Sequence, residues 1–220
     1  GLVCAVALLV LQAFSVFPAV GARLFWQFRY LCAADTSLLA EEWFCSSEEA
    51  AAVALRPWES KLEDKLDAAL VLGAGASQVP SALAPHFRLV YATDITPLGK
   101  CGRPAQVKTA LADATKLPFA EATFDLVLEK GTFAAIAAAG GSLHPCFNEA
   151  ARVLKAGGRL CSVHLDDVGN AYCAEMERAR LKVEQVQKVG KMAAVGHKAG
   201  FVEQLGCQAM IAVKEAAAAV

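Results

Sequence analysis

The feature that most constrains the fold is a short apolar run that passes directly into a glycine turn, Val71-Leu72-Gly73-Ala74-Gly75-Ala76-Ser77. The apolar run predicts a buried strand. Gly73 and Gly75 allow a tight turn in which the backbone approaches a ligand closely. Ser77 is placed to cap a following helix and turn its first amides toward a polar or anionic group. The pattern therefore favours a ligand site after a strand, although a G-x-G sequence also occurs in tight turns that bind nothing.

The rest of the chain after residue 66 alternates short apolar runs with amphipathic segments. Such alternation predicts a parallel sheet covered by helices on both faces, with ligands at the carboxyl ends of its strands. A helix at 169–180 is followed by two further strand-like segments that favour an antiparallel pair. We therefore expect an α/β, Rossmann-like fold with a seven-stranded, mostly parallel sheet and a terminal antiparallel hairpin. The strands are expected at 68–72, 88–93, 109–112, 124–128, 159–164, 182–188 and 207–214.

Two aspartates end the second and third predicted strands. Asp94 follows the glycine turn by about 20 residues, the spacing at which a carboxylate accepts the hydroxyls of a ribose. Asp113 is placed to meet the exocyclic amine of an adenine, and either acid could instead cap a strand end. Three strand ends are thus expected to meet at one nucleoside-shaped site. A dinucleotide-binding oxidoreductase is the weaker alternative, because its third glycine is replaced here by Gln78.

Three longer stretches, at residues 113–119, 122–132 and 149–160, together resemble class I S-adenosylmethionine methyltransferases. They are similar in particular to the eukaryotic methyltransferase-like group that includes the elongation-factor lysine methyltransferases. The D-K-G-T-L-D-A motif of that group corresponds to Glu129 through Ala135, and its E-W-Y/F element corresponds to Glu42-Trp43-Phe44. The likeness extends over roughly residues 40–166 and rests mainly on residues 113–119, 122–132 and 149–160.

The resemblance implies that S-adenosylmethionine is the cofactor and that one set of residues surrounds it. These are Gly73, Gly75 and Ser77 around its methionine part, Asp94 at the ribose, Asp113 and Ala114 at the adenine, and Glu129 beside the sulfonium. Glu129 is also the candidate catalytic residue, with a strand-end pairing to Lys130 as its structural alternative. The implied methyl acceptor is a protein lysine or another amine.

The chain departs from the family pattern around the predicted active site. Ala134 stands where the family has an acid, and Pro97 and Pro104 lie with two glycines where a helix normally lines the adenosine pocket. Pro80 and Pro85 limit the helix after the glycine turn to about two turns. His144 and His164 are isolated in the sequence, so neither is favoured as a general base. These departures favour a methyltransferase-fold protein that has weakened or lost catalysis and serves as an accessory or scaffold subunit. An active methyltransferase acting on an amine is the alternative.

The first 22 residues carry no charge and, as a helix, would extend roughly 33 Å, which is enough to cross a bilayer. A basic and aromatic cluster follows at 23–30, as at a headgroup boundary. We expect a transmembrane anchor; packing on a protein partner, or a place in the domain itself, are the alternatives. A signal peptide is disfavoured because no positive segment precedes the apolar run. The expected divisions are an anchor at 1–30, helices at 31–65 and a methyltransferase-like domain at 66–220. Within the second division a helix is expected between residues 35 and 60, with Asp35 or Thr36 as its cap and a stop near Pro57.

Charge and cysteine content limit the expected partners. With 21 basic and 22 acidic residues the net charge is -1, so no nucleic-acid partner is expected. The eight cysteines form no C-x-x-C pair, so neither a metal site nor a disulfide framework is expected, and most should be buried as small apolar side chains. The apolar segment and alanine-rich composition favour an organellar membrane, thylakoid or mitochondrial inner, and a partner complex within it.

Overall fold

The seven predicted strands form one sheet in the computed structural model, which describes residues 43–59, 64–98, 103–195 and 202–216. The strand order is β3-β2-β1-β4-β5-β7-β6. All neighbouring pairs from β3 to β5 are parallel, whereas β7 is antiparallel to both β5 and β6. The predicted mostly parallel sheet with a terminal hairpin is confirmed. The strands are β1 (Leu66–Leu72), β2 (Phe87–Asp94), β3 (Val107–Leu111), β4 (Phe124–Lys130), β5 (Leu154–Leu165), β6 (Leu181–Val195) and β7 (Val202–Lys214).

The last three strands are longer than predicted, for two different reasons. β5 begins at Leu154, and its pairing with β4 shifts register between Leu154 and Arg159, so a bulge occupies the stretch that contains Gly157 and Gly158. The β6–β7 pairing continues to Val195 and Val202 beyond the region where apolar residues alternate. The backbone pairing of this hairpin thus continues beyond the residues whose apolar alternation predicted its two strands.

Five α-helices are described, and they cover the sheet on both faces. One face carries α1 (Ser47–Leu55) and α2 (Val79–Leu83), and the other carries α3 (Thr132–Ala138), α4 (His144–Val153) and α5 (Gly169–Arg178). Both faces of the central strands are therefore buried, as parallel sheets require. The helix predicted at 169–180 is confirmed with an end at Arg178.

The helix predicted between residues 35 and 60 is shorter within the described part of the chain. α1 begins after Ser46, whose hydroxyl accepts a hydrogen bond from the amide of Glu49 at 3.0 Å, and it ends at Leu55. Pro57 lies in a 3₁₀ turn, Arg56–Trp58, in agreement with the predicted stop. The start expected at Asp35 or Thr36 lies outside the described residues.

Two apolar layers hold the helices to the sheet. Val71 and Leu128 belong to the layer under α1 and α2, and Leu70 and Phe147 belong to the layer under the other three helices. Full burial of a side chain of this size contributes about 1.5–3 kcal/mol. Four of the described cysteines are buried in these layers or beside them, as predicted; they are Cys45, Cys146, Cys161 and Cys207.

The anchor predicted at 1–30, and residues 31–42 and 60–63 of the helical segment predicted at 31–65, lie outside the described residues. Among the residues that are described, no helix is both long enough and apolar enough to cross a membrane. The described part of the 31–65 segment, α1 and its 3₁₀ turn, packs on the same apolar layer as the sheet.

Candidate functional site

The carboxyl ends of β1, β2 and β3 meet at one edge of the sheet. The amide of Ala74, in the turn after β1, donates to the carbonyl of Thr93 in β2 at 2.8 Å. The amide of Ala112, just after β3, donates to the carbonyl of Asp94 at 2.9 Å. The strand order also places β1 between β2 and β4, where the direction of connection reverses and α/β sheets bind ligands. The convergence predicted from the sequence is therefore present in the structure.

The turn after β1 requires glycine at its first position. Gly73 has a φ of +59°, and a Cβ there would lie 2.1 Å from Oγ1 of Thr132. That hydroxyl donates to the carbonyl of Leu72 at 2.9 Å, so the end of β4 is fastened to the end of β1. Thr132 therefore belongs to the site, although the sequence motif that contains it indicated no role for this residue.

Asp94 lies directly beside the second glycine of the turn. Its Oδ2 accepts from the amide of Gly75 at 3.0 Å, and its Oδ1 accepts from the amide and the hydroxyl of Thr96 at 2.9 and 2.8 Å. A carboxylate offers about four acceptor positions, so one remains, and the Thr96 hydroxyl can rotate away. The side chain is 6% exposed and oriented by three donors. This arrangement fits a ribose hydroxyl pair, the role that the resemblance implies for Asp94.

The connection between β2 and β3 forms the outer side of this site. None of its described residues, 95–98 and 103–106, is helical, as the prolines and glycines predicted. Arg103 reaches back from this connection, and its Nη2 donates to the carbonyl of Gly75 at 3.0 Å. A guanidinium therefore lies at the glycine turn, which no sequence motif indicated.

Asp113 and Ala114 lie at the outer end of the same edge. Asp113 is exposed, and its Oδ1 accepts from the amide and hydroxyl of Thr115 at 2.8 and 2.7 Å. These bonds fix the direction of the carboxylate. Ala114 is half-buried against the apolar layer that contains Phe124. Their assignment to the adenine stays a prediction.

Ser77 has a different position from the predicted helix cap. α2 begins at Val79 with Gln78 at its cap position, and that residue makes no side-chain capping bond. The Ser77 hydroxyl accepts from the amide of Val79 at 3.2 Å and lies 3.2 Å from the hydroxyl of Ser47 in α1. Ser77 thus lies one residue before the cap position, although its hydroxyl still accepts from the first amide of the helix. α2 has five residues, less than the two turns predicted.

Glu129 is fully buried at the end of β4, on the face covered by α3, α4 and α5. Its Oε1 accepts from the hydroxyl of Ser162, and its Oε2 accepts from the amide of Phe133 at 3.1 Å. Burial raises the pKa of Glu129 to about 7, against the opposing effect of hydrogen bonds from Ser162, Phe133 and Thr132. Both oxygens are engaged inside the protein. The catalytic and cofactor roles predicted for Glu129 require this cover to move and stay predictions.

The Trp43-Phe44 part of the predicted E-W-F element covers the end of β4. A Cβ at Gly131, whose φ is +79°, would lie 2.2 Å from Cε2 of Phe44. Phe44 is buried and itself has a φ of 70°, whereas Trp43 is 39% exposed beside it. Lys130 donates to the carbonyl of Cys45 at 3.1 Å and so fastens the same segment. The motif thus marks a packing contact at the rim of the site.

The two histidines weighed as bases occupy different environments. Nδ1 of His144 lies 3.1 Å from Oε2 of Glu175, at an exposed contact between α4 and α5. His164 is fully buried at the end of β5, next to the ring of Tyr172. Only His164 lies at the strand-end edge of the sheet that carries the site.

Comparison with known proteins agrees with this geometry. Residues 70–162 match the family model described as a methyltransferase domain. Among solved structures, a putative methyltransferase from Bacillus halodurans is 19% identical, with a TM-score of 0.58 over 76% of this chain and 99% of that one. A TehB-like SAM-dependent methyltransferase from Corynebacterium glutamicum is 18% identical, with a TM-score of 0.57 over 86% and 95%.

A third solved structure carries ligands. The 1,6-didemethyltoxoflavin-N1-methyltransferase of Burkholderia thailandensis, bound to 1,6-didemethyltoxoflavin and S-adenosylhomocysteine, is 16% identical, with a TM-score of 0.65 over 88% of this chain and 87% of that one. No curated protein matches the sequence. At these identities the likeness shows the fold, which is that of the class I methyltransferases. The narrower grouping with elongation-factor lysine methyltransferases stays a prediction.

Proposed function

We propose that this chain, which has the class I methyltransferase fold, binds S-adenosylmethionine and transfers its methyl group to an amine. The observation that carries the proposal is the contact between the Gly75 amide and the Asp94 carboxylate, at 3.0 Å, where the strand order reverses. A glycine turn that admits close backbone approach lies there beside an oriented carboxylate. This combination suits a nucleoside with adjacent hydroxyls.

The residues of the chain supply binding and orientation. Gly73 and Gly75 leave space along the turn, and Asp94 presents an oriented acceptor. The cofactor supplies an electrophilic methyl sulfonium, so the chemical step mainly requires that the methyl carbon and the acceptor atom be aligned. A protein lysine or another amine is proposed as acceptor because of the resemblance in residues 113–132 and 149–160.

Calorimetric titration of the 220-residue chain with S-adenosylmethionine and S-adenosylhomocysteine tests the cofactor site. We expect binding that Asp94→Ala weakens at least about tenfold, because a buried carboxylate with oriented donors is lost. Asp67→Ala is the matched control: Asp67 is an exposed acid at the amino end of β1, opposite the carboxyl ends that carry the site, and it pairs with Lys155. Absence of binding to the unmodified chain would exclude the proposed function.

A second candidate is a methyltransferase-derived scaffold that lacks turnover. It is favoured by the burial of Glu129, whose two oxygens are both engaged, and by Ala134 in place of the family's acid. In this case cofactor binding can persist while labelled methyl groups from S-adenosylmethionine reach no acceptor. A transfer assay with lysine-containing peptides and with free amines separates the two candidates.

We further propose that residues 1–30 anchor the chain in an organellar membrane, thylakoid or mitochondrial inner, as a subunit of a larger complex. The support is the absence of charge over the first 22 residues, followed by the basic and aromatic cluster. Alkaline extraction of membranes should leave the full chain in the pellet and release a version that begins at residue 31. Release of both versions would exclude the anchor.

A further inference from the structure

Two buried polar atoms at the end of β5 have no hydrogen-bond partner among the described residues. They are Nε2 of His164 and the hydroxyl of Tyr172, on side chains that are 0% and 2% exposed. The two rings are neighbours, with centroids 4.3 Å apart. Buried polar groups in folded proteins are nearly always paired, because an unpaired one loses its hydration without compensation. The pair therefore indicates a place for a ligand group.

The hydrogen-bond roles of the two atoms are fixed by their surroundings. Nδ1 of His164 lies 2.8 Å from the carbonyl of Leu165, which only accepts, so Nδ1 carries the proton. Burial lowers the pKa of His164, which keeps the ring neutral and leaves Nε2 as an acceptor. Burial also raises the pKa of Tyr172, so its hydroxyl stays a donor. The pair thus offers one acceptor and one donor side by side.

The pair lies at the carboxyl end of β5, two strands away from the glycine turn at the end of β1. His164 follows Ser162, which contacts Glu129, and the neighbouring residue Val163 pairs with Lys130 at the end of β4. β4 in turn lies next to β1, whose end carries the glycine turn. Tyr172 is in the first turn of α5, which packs over this part of the sheet.

The charges around the pair select among ligands. Asp166 and Asp167 act on His164 from the 3₁₀ turn after β5, and Glu129 acts on Tyr172 from β4. A carboxylate ligand would be repelled by these acids, whereas a group that both donates and accepts, such as a hydroxyl or neutral amine, matches the two atoms. The 3₁₀ turn Asp166–Val168, which contains no buried residue, joins β5 to the helix that carries Tyr172, so we expect its movement to admit the ligand.

We propose that His164 and Tyr172 bind the methyl acceptor at its hydroxyl or amine nitrogen, with Nε2 of His164 as the base that receives its proton. This deepens, and rests on, the proposed methyl transfer. The acceptor lone pair forms the new bond to the methyl carbon while the S–CH₃ bond breaks and its electron pair stays on sulfur. The proton of the acceptor passes to Nε2, and the imidazolium then releases it to water. Tyr172 holds the acceptor before transfer by donating to its heteroatom. A hydroxyl oxygen keeps its second lone pair for the attack, whereas an amine nitrogen has to turn its single lone pair from Tyr172 to the methyl carbon.

The test uses nitrogen-15 NMR of the full chain labelled at histidine, in which only four imidazoles occur. We expect Nε2 of His164 to show the shift of an unprotonated nitrogen at neutral pH. Ethanolamine, added with S-adenosylhomocysteine present, should move that signal, and acetate at equal concentration should not. Tyr172→Phe should weaken the ethanolamine response about fivefold, since one hydrogen bond is lost, with unchanged S-adenosylhomocysteine affinity. His144→Gln removes the exposed imidazole and should change nothing at His164.

The outcomes separate this inference from the proposed function. Binding of S-adenosylhomocysteine together with a protonated Nε2, an equal response to acetate, or no response to ethanolamine would overturn the acceptor site alone. The last result would assign the pair to an internal water. Failure of S-adenosylhomocysteine to bind would remove the proposed function and the inference with it.

Discussion

Replacing Glu129 with glutamine should change how stability depends on pH. The folded protein holds the pKa of this carboxyl at about 7, against an ordinary value of 4.5, mainly because of burial. Between these two values the unfolded chain has lost the proton and the folded chain still binds it. Stability therefore falls as pH rises through this range, and the contribution is fully present only below about pH 4.5. At about 1.4 kcal/mol per pKa unit, the loss by pH 7.5 is roughly 3 kcal/mol.

The measurement is urea unfolding of the wild-type chain and of Glu129→Gln at intervals from pH 4.5 to 7.5. Histidines also titrate in this range, but both proteins contain them, so the difference between the two curves isolates Glu129. We expect that difference to move by roughly 3 kcal/mol in favour of the variant as pH rises. Parallel curves would refute the argument, because they would mean that the carboxyl has the same pKa folded and unfolded.

Ser162→Ala is the matched control for the hydrogen-bond part of the argument. The Ser162 hydroxyl donates to Glu129 and lowers its pKa, opposing the effect of burial. Without that donor the folded pKa should rise further, so the fall in stability should extend to higher pH than in the wild-type chain. A shift of the curve toward lower pH would contradict the assigned direction of this hydrogen bond.

Three further predictions concern other parts of the structure. Gly131→Ala should lower the urea midpoint more than Gly140→Ala, because both glycines have φ near +78° but a Cβ meets the Phe44 ring at 2.2 Å in the first and nothing within 4 Å in the second. Equal effects would mean that Phe44 does not restrict the site. Asp94→Asn should weaken S-adenosylhomocysteine binding in calorimetry, since a donor replaces one of the oriented acceptor oxygens; unchanged affinity would remove Asp94 from the site. Ser46→Ala should cost about 1 kcal/mol in urea unfolding through loss of the α1 cap, and Ser46→Gly should cost less.

The sheet could be predicted from the sequence because each strand, turn and helix is indicated by residues that are neighbours in the chain. The apolar run at 68–72 and the glycine turn that follows it require a strand, a turn and a helix in that order, and repetition of this unit leaves few topologies. Asp94 beside Gly75 could be predicted for the same reason, since parallel strand ends meet at one edge. The bulge at Gly157 in β5 could not, because glycines indicate a turn unless the pairing partner is known.

The contacts that complete the site join residues far apart in the chain. Arg103 donates to the carbonyl of Gly75, and the ring of Phe44 lies against Gly131. No periodic pattern in the sequence predicts either contact. His164 looked isolated in the sequence, since its neighbour Tyr172 lies on a different element and becomes adjacent only when α5 packs on the sheet. Side-chain partners across elements depend on packing, which composition and spacing do not specify.

The burial of Glu129 allows its structural and catalytic roles to be separated in one variant. Its oxygens accept from Ser162 and from the amide of Phe133 at the start of α3, so it can reach a sulfonium only if that helix start moves. Glu129→Gln removes the charge and keeps the volume. If the acid is only structural, the variant should lose less stability than the wild type between pH 4.5 and 7.5 and keep both cofactor affinity and methyl transfer. If it is catalytic, the same change in pH dependence should accompany a loss of transfer of about 100-fold or more. Because the pH-dependent stability is measured in the same protein, a loss of transfer cannot be attributed to unfolding.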